Sequence, residues 1–444
     1  MKVYIETYGC QMNFADSEIV ASLLTKEGYE VAEDVAYADY VLINTCAIRD
    51  NAEQRIRKRL RELRALQQKH PQMRVGILGC MAERLQSQLM VEEENVSFVV
   101  GPDGYRRLPA ILAQVRQQGV KAAETELSTT ETYSDIEPVR LGSNGISAYI
   151  SIMRGCQNYC AYCVVPYTRG RERSRDPETI VAEARSLFEQ GYKEVTLLGQ
   201  NVNSYCWRSG QGGDGETTDF PELMSRVASL SPMLRVRFAT SHPKDLSDKL
   251  LEVMAKYDNI CKCIHLPVQS GSDRMLKLMN RHYDSAWYLG RIDAIRRYMP
   301  DCSITTDVIA GFCTETEEEH QMTLDLFRKV RYDYAYMFKF SMRPNTYAEK
   351  HLKDDVPEEV KTRRLEEIIA LQGQLALENN RKEVGKIYEV LVEGESHRSK
   401  EQLFGRNSQN KVIVFDRHDV QRGQYVRVKV VGCTAATLLG ELCD

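Results

Sequence analysis

Between Ala148 and Phe340 one unit recurs six times: a short apolar run, a polar turn, then an amphipathic stretch. The apolar runs fall at residues 148–153, 194–198, 234–239, 263–268, 303–309 and 334–340, with helical spacing between them, as at 177–190, 243–256 and 315–331. Near-continuous apolar strands alternating with helices predict a parallel sheet covered on both faces. Six units predict an open or partial (β/α)6 barrel, short of the full eight.

The first third alternates in the same way. A strand opens at Val3, 16–26 has helical apolar spacing, 40–43 is a buried strand, 52–68 is a charged helix, and 74–78 and 96–100 are further buried strands. This predicts a doubly wound parallel sheet. Residues 124–145 are rich in Thr, Ser, Glu and Gly and read as a linker, and the Gly-rich stretch 207–218 reads as a mobile loop. One long amphipathic helix is expected over 357–383. Short β-rich runs at 388–392, 411–415 and 425–431 then predict a small β-barrel. The chain is therefore read as α/β and multidomain, divided at 1–123, 124–145, 146–382 and 383–444.

Thirteen cysteines stand in a chain of 444 residues. Their odd number and uneven spacing do not suit a disulfide framework, and the N-terminus lacks a signal peptide's apolar stretch. No run of about 18 apolar residues predicts a membrane span. A reducing cytoplasm is expected, with some thiols as metal ligands. Cys156, Cys160 and Cys163 form C-x3-C-x2-C just past the first barrel strand, the end at which barrel active sites are built. Three close thiolates can hold three irons of a cubane cluster and leave the fourth open to a small molecule. A zinc site would lack its fourth ligand, and the spacing differs from zinc C-x2-C pairs.

Cys10, Cys46 and Cys80 are each alone in the sequence, where a cysteine is commonly a small core residue. Each, however, sits just past the carboxyl end of an expected parallel strand, and such ends line the ligand crevice of an open α/β sheet. Gly9 and Gly79 free the backbone to turn there. The three thiolates are expected to converge on a second cluster. Cys206, Cys261, Cys263, Cys302, Cys313, Cys433 and Cys443 lack a partner pattern and are read as core or surface residues.

These residues resemble those of the methylthiotransferase family of radical S-adenosylmethionine (SAM) enzymes, over essentially the whole chain. Within that family, Glu6-Thr7-Tyr8-Gly9-Cys10-Gln11-Met12-Asn13 and the stretch from Cys163 to Arg175 resemble the branch acting on N6-isopentenyladenosine beside the tRNA anticodon. The resemblance implies a methylthiotransferase domain, a radical SAM barrel and a C-terminal TRAM domain. It also implies two 4Fe-4S clusters. The open iron at Cys156, Cys160 and Cys163 would chelate SAM, whose reductive cleavage gives a radical that abstracts hydrogen from C2 of the adenine. The site at Cys10, Cys46 and Cys80 would donate sulfur, with a second SAM supplying the methyl group. An isopentenylated tRNA, a flavodoxin-like electron donor and a sulfur source are the implied partners, and a monomer is expected.

Tyr162, Gln200, Asn203, Ser241, Gln269, Arg281 and Asp307 lie at or near strand ends, and by resemblance are expected at SAM. Taken singly, such residues are as commonly turns or caps, as Ser272 before Asp273 would be. The formal net charge of −4 advertises no nucleic-acid partner, so RNA contacts must be local. Arg55, Lys58 and Arg59, in the charged helix after Cys46, are candidates beside the expected sulfur site. Arg169, Arg171, Arg173 and Arg175 flank the first cluster and could hold SAM or RNA. In the TRAM-like segment 404–411, Arg406 and Lys411 are the expected RNA contacts. Two other readings are weighed: methylthiolation of a ribosomal-protein aspartate, whose branch has a different opening motif, and a non-catalytic RNA-binding iron–sulfur sensor.

Overall fold

Six parallel strands form the N-terminal sheet, in spatial order Glu30–Val31, Lys2–Tyr8, Tyr40–Thr45, Arg74–Gly79, Val96–Val100 and Ala122–Glu124. The computed structural model describes residues 1–46, 50–142, 144–209, 215–396 and 398–443, side chains of residues 50–52 aside. Val3, Leu42, Leu78, Phe98 and Val100 fill one face of the sheet, and Val41, Ile43, Val75, Ile77 and Val99 the other. Burial on both faces is why these strands read as continuous apolar runs.

The Gln11–Lys26 helix begins five residues before its apolar periodicity does. Its first turns lie between two bodies, with Met12 and Ala15 packed on Leu198 of the barrel. A helix buried on several sides has no single apolar stripe to read. The charged helix runs Asp50–Lys69.

The central strands Ser147–Ser151, Glu194–Leu198 and Arg235–Ala239 form one parallel sheet, and Cys263–His265, Ser303–Ala310 and Tyr334–Lys339 another. A parallel bridge between Val236 and Ile260 joins the two, giving the expected partial barrel of six strands. The run expected at 148–153 divides after Ser151, and Met153–Arg154 pairs antiparallel with Arg173–Ser174. The helix expected over 243–256 starts only at Asp248, capped by Ser247; before it lies a 3-10 turn at Pro243–Asp245.

Two expected loops carry more structure than their composition suggests. Between Ala122–Glu124 and Ser147 no described residue is helix or strand, and the segment is tied down along its length. Tyr133 is buried, stacks on Tyr105 at 5.8 Å and donates from its hydroxyl to the Pro102 carbonyl at 3.0 Å. Arg140 bridges Glu18 and Glu183, each at 2.6 Å. The stretch expected to be a mobile loop holds a hairpin, Cys206–Arg208 with Thr217–Asp219; residues 210–214 of it lie outside the described residues.

After the Glu358–Arg381 helix, five strands close a barrel. Sequence reasoning missed two of them, Ser399–Arg406 and Leu438–Leu442, which present few apolar residues in a row. The turn after Arg406 docks on the barrel strands near their amino ends. Carbonyls of Arg406, Asn407 and Ser408 accept from Arg235 and Arg237 at 2.8–3.2 Å, and the Lys262 N–H donates to Ser408 Oγ at 2.9 Å. No described helix is long and apolar enough to cross a membrane.

Candidate active site

The sheet order sets the first cysteine triad. Lys2–Tyr8, Tyr40–Thr45 and Arg74–Gly79 are adjacent, with Tyr8 opposite Thr45 and Thr45 opposite Gly79. Cys10, Cys46 and Cys80 follow these residues by one or two positions and so emerge side by side. Two glycines let them do so. A Cβ on Gly9 would lie 2.9 Å from the Cys46 Cβ; one on Gly79 would lie 2.4 Å from Asn44 Oδ1, and Gly79 has φ +85°. Asn13, which sequence reasoning passed over, pins the arrangement. Its Oδ1 accepts from the Cys10 N–H at 3.3 Å, and its Nδ2 donates to Asn44 Oδ1 at 3.1 Å and the Thr45 carbonyl at 3.2 Å. The signal was present in the sequence: Cys10 and Asn13 have N-cap to N3 spacing at the helix start.

The Cys10 thiol is held down to about 6, chiefly by a hydrogen bond with Cys46, with burial opposing and the Arg169 charge assisting. Burial pushes the Cys80 thiol up, against Arg169. Arg169 Nε donates to Cys80 Sγ at 3.2 Å.

The second triad sits on the loop after Met153–Arg154. The Cys156 N–H donates to the Gly170 carbonyl at 3.1 Å, and the Cys163 N–H to the Cys160 carbonyl at 2.9 Å. Ala161 bonds the Met279 carbonyl, and Asn280 Nδ2 holds the Tyr159 carbonyl, each at 2.9 Å. Arg281 is buried and donates from Nη1 to Cys160 Sγ at 3.2 Å and from Nη2 to the Pro267 carbonyl at 2.8 Å. Burial pushes Cys156 up to about 11. Each triad thus has one buried arginine on one of its sulfurs.

The triads lie at the same junction of the two bodies: Cys80 packs on Val164, the residue after Cys163. Among the described residues no three His, Cys, Asp or Glu side chains close around a single metal ion. Thiolates on three adjacent strand ends, and three on one loop, are donor sets of the kind a cluster takes, each thiolate holding its own iron.

The strand ends hold an unfilled set of polar atoms. Gln200 Oε1, Asn203 Oδ1 and Nδ2, Ser241 Oγ and His242 Nε2 are buried without a hydrogen-bond partner. Each such atom costs about 1–3 kcal/mol unless a ligand satisfies it. A ligand carrying amino, carboxylate and hydroxyl groups fits this set. Gln269 has φ +73°, a strained backbone for a non-glycine residue, fixed by bonds with the backbone of Asp307 and Ile309. The Asp307 carboxylate lies 3.4 Å from His265 Nε2. Tyr162 stands 3.5 Å from Arg281 through its hydroxyl and packs edge-on to Phe312. His242, next to Ser241, adds a ring nitrogen to this set.

The basic residues divide. Arg55 and Lys58 are exposed, Arg55 over the Tyr8 ring at 5.1 Å. Arg59 is instead locked on Glu6 at 2.5 Å and Glu62 at 2.9 Å. Lys411 is held by Asp333 at 2.9 Å and Asn380 at 3.2 Å, between the C-terminal barrel and the central one, and Arg406 pairs with Glu393 at 2.8 Å. Each of these three cations is thus paired within the protein. Arg169, Arg173 and Arg175 are likewise buried, on Asp16, Asp103 and Glu183; only Arg171 of that series is exposed.

Comparison with known proteins matches three family descriptions. The Uncharacterized protein family UPF0004 covers residues 2–101, the Radical SAM superfamily 150–327 and the TRAM domain 381–443. The chain is 57% identical over 440 residues to the tRNA-2-methylthio-N(6)-dimethylallyladenosine synthase of Bacteroides thetaiotaomicron, covering 99% of this chain and 96% of that one. It is 56% identical over 449 residues to the synthase of that name from Amoebophilus asiaticus, covering 99% and 92%. Among solved structures, the radical S-adenosylmethionine methyltransferase TsrM from Kitasatospora setae shares the fold. It has a TM-score of 0.58 at 15% identity, over 78% of this chain and 75% of that one.

Proposed function

Because the chain belongs to the tRNA-2-methylthio-N6-dimethylallyladenosine synthase family of radical SAM enzymes, we propose that it converts N6-isopentenyladenosine beside the tRNA anticodon to its 2-methylthio derivative. The observation that carries this reading is the pair of cysteine triads meeting at the Cys80–Val164 contact. Carbon–hydrogen activation and sulfur delivery must happen at one base, and such chemistry needs both reacting centres within reach of it.

When bound, the two 4Fe-4S clusters and SAM supply the electron, the radical and the sulfur. The chain's residues do the rest. Cys156, Cys160 and Cys163 would hold one cluster, and Cys10, Cys46 and Cys80 the other. Gln200, Asn203, Ser241 and His242 offer unpaired polar atoms for the amino, carboxylate and ribose groups of SAM. Arg281 fixes Cys160 from behind. Tyr162, Gln269 and Asp307 complete the rim. Of the five expected RNA contacts, Arg55 and Lys58 are exposed and can meet phosphate, whereas Arg59, Arg406 and Lys411 also serve internal pairs. The division at 1–123, 146–382 and 383–444, with 124–145 as a strap, belongs to the same reading. So do an external electron donor of flavodoxin type, a sulfur source, a monomeric state and a cytoplasmic setting.

Splitting the two triads tests this. C156A should abolish release of 5′-deoxyadenosine from SAM under anaerobic reduction. C80A should keep that release and lose methylthio transfer to isopentenylated tRNA. Loss of both activities in C80A would remove the division of labour.

A further inference from the structure

The junction between the two triads contains a buried charge network that the reaction as described does not use. Asp16 accepts from Arg154 and Arg169, each at 2.8 Å. Asp103 accepts from Arg173 at 2.8 Å and lies 3.6 Å from Arg154. All five side chains are at least nine-tenths buried. Among these five groups, three guanidinium groups face two carboxylates, an excess of one positive charge. A buried excess charge is costly unless an anion answers it.

Arg169 is where that excess meets sulfur. It is carried on the Val165–Arg169 helix, which begins two residues after Cys163, yet its Nε donates to Cys80 Sγ of the other triad at 3.2 Å. Its Nη1 is buried with no hydrogen-bond partner. If Arg169 served only to tie the two bodies together, Asp16 would suffice as its partner, and Asp16 already has Arg154. The remaining two nitrogens, one on a thiol and one unfilled, suit an anionic sulfur environment.

We infer that Arg169 is a positioning residue for the sulfur-donating site, its guanidinium holding the Cys80 sulfur through Nε and offering Nη1 to a sulfide anion carried there. This rests on reading Cys10, Cys46 and Cys80 as a cluster site. An N–H···S bond from a cation withdraws charge from a ligand sulfur, so it raises the cluster's reduction potential. A lysine cannot reproduce the planar fork, so it should substitute only in part.

The test isolates that cluster in the full-length C156A/C160A/C163A chain, reconstituted with iron and sulfide. R169K and R169Q are added to this background. The measurements are iron content, midpoint potential by redox titration, and sodium sulfide binding followed by electron paramagnetic resonance. Both variants should keep their iron. The potential should fall in R169Q and fall less in R169K, and sulfide binding should weaken on the order of tenfold in R169Q. An unchanged potential and unchanged sulfide binding in iron-loaded variants overturns the inference. Iron lost from both variants also overturns it, leaving Arg169 as scaffold only. A parent triple variant that takes up no cluster overturns the two-cluster reading first, and the inference with it.

Discussion

Cys80, at the end of a strand in the N-terminal sheet, packs directly on Val164, the residue that follows the last thiol of the C-x3-C-x2-C loop. Two cysteine sets more than 70 residues apart in sequence are thereby brought to one junction. The contact depends on the turn at Gly79 and on the short helix that carries Arg169.

Gly79→Ala tests the turn. The new Cβ would sit 2.4 Å from Asn44 Oδ1 and 2.7 Å from the Thr45 carbonyl, at a φ of +85°. The strand end must shift, carrying Cys80 out of register with Cys46. Iron content after reconstitution should fall from about eight to about four atoms per chain. SAM cleavage, proposed for the other triad, should persist.

Asp16→Asn tests the charge network. It leaves Arg154 and Arg169 buried with a weakened partner. Loss of one member of a buried ion pair costs about 3–5 kcal/mol. Chemical denaturation should show a loss of that order, and a change below about 0.5 kcal/mol, the range of an ordinary surface substitution, would mean the network is better solvated than its burial implies.

Glu83 provides a pH signature. Burial, then the nearby Asp103 and Glu124 charges, push its carboxyl up to about 8, and its Oε2 is buried without a partner. Between the ordinary glutamate value near 4.5 and 8 the folded chain therefore holds a proton that the unfolded chain has released. Stability must fall as pH rises through that window. Glu83→Gln should remove this component. Its melting temperature should gain on the parent's from about pH 5 to about pH 8 and hold the gain above that. A constant difference across the range would contradict the assignment.

The basic residues make a contrasting pair. R55A/K58A should flatten the dependence of log K on log salt for tRNA binding, by about one for each phosphate that these side chains neutralise. K411A should leave that slope unchanged and lower the melting temperature, because Lys411 is held by Asp333 and Asn380. The reverse pattern would place the RNA on the C-terminal barrel.

The six-strand repeat and both cysteine triads were legible because they rest on local signals: apolar runs, helix spacing and cysteines just past strands. What was not legible depends on partners distant in sequence. Arg169 reads as a free cation until Asp16 and Cys80 are brought to it across 153 and 89 residues. Lys411 reads as an unpaired cation until Asp333 is brought beside it. The 124–145 segment reads as a linker because its anchored side chains, Tyr133, Ile136 and Arg140 among them, are too irregularly placed to make a period. Strand Ser399–Arg406 was missed because few of its side chains, among them Leu403, are buried.

The most direct measurement is mass spectrometry of nucleosides from isopentenylated, unmethylthiolated tRNA. The tRNA is incubated anaerobically with the reconstituted protein, SAM and a reductant. The account predicts 2-methylthio-N6-isopentenyladenosine, formed only when both cysteine triads are intact. Release of 5′-deoxyadenosine with no methylthio gain on the tRNA would contradict it and direct the search to another acceptor, such as a ribosomal-protein aspartate.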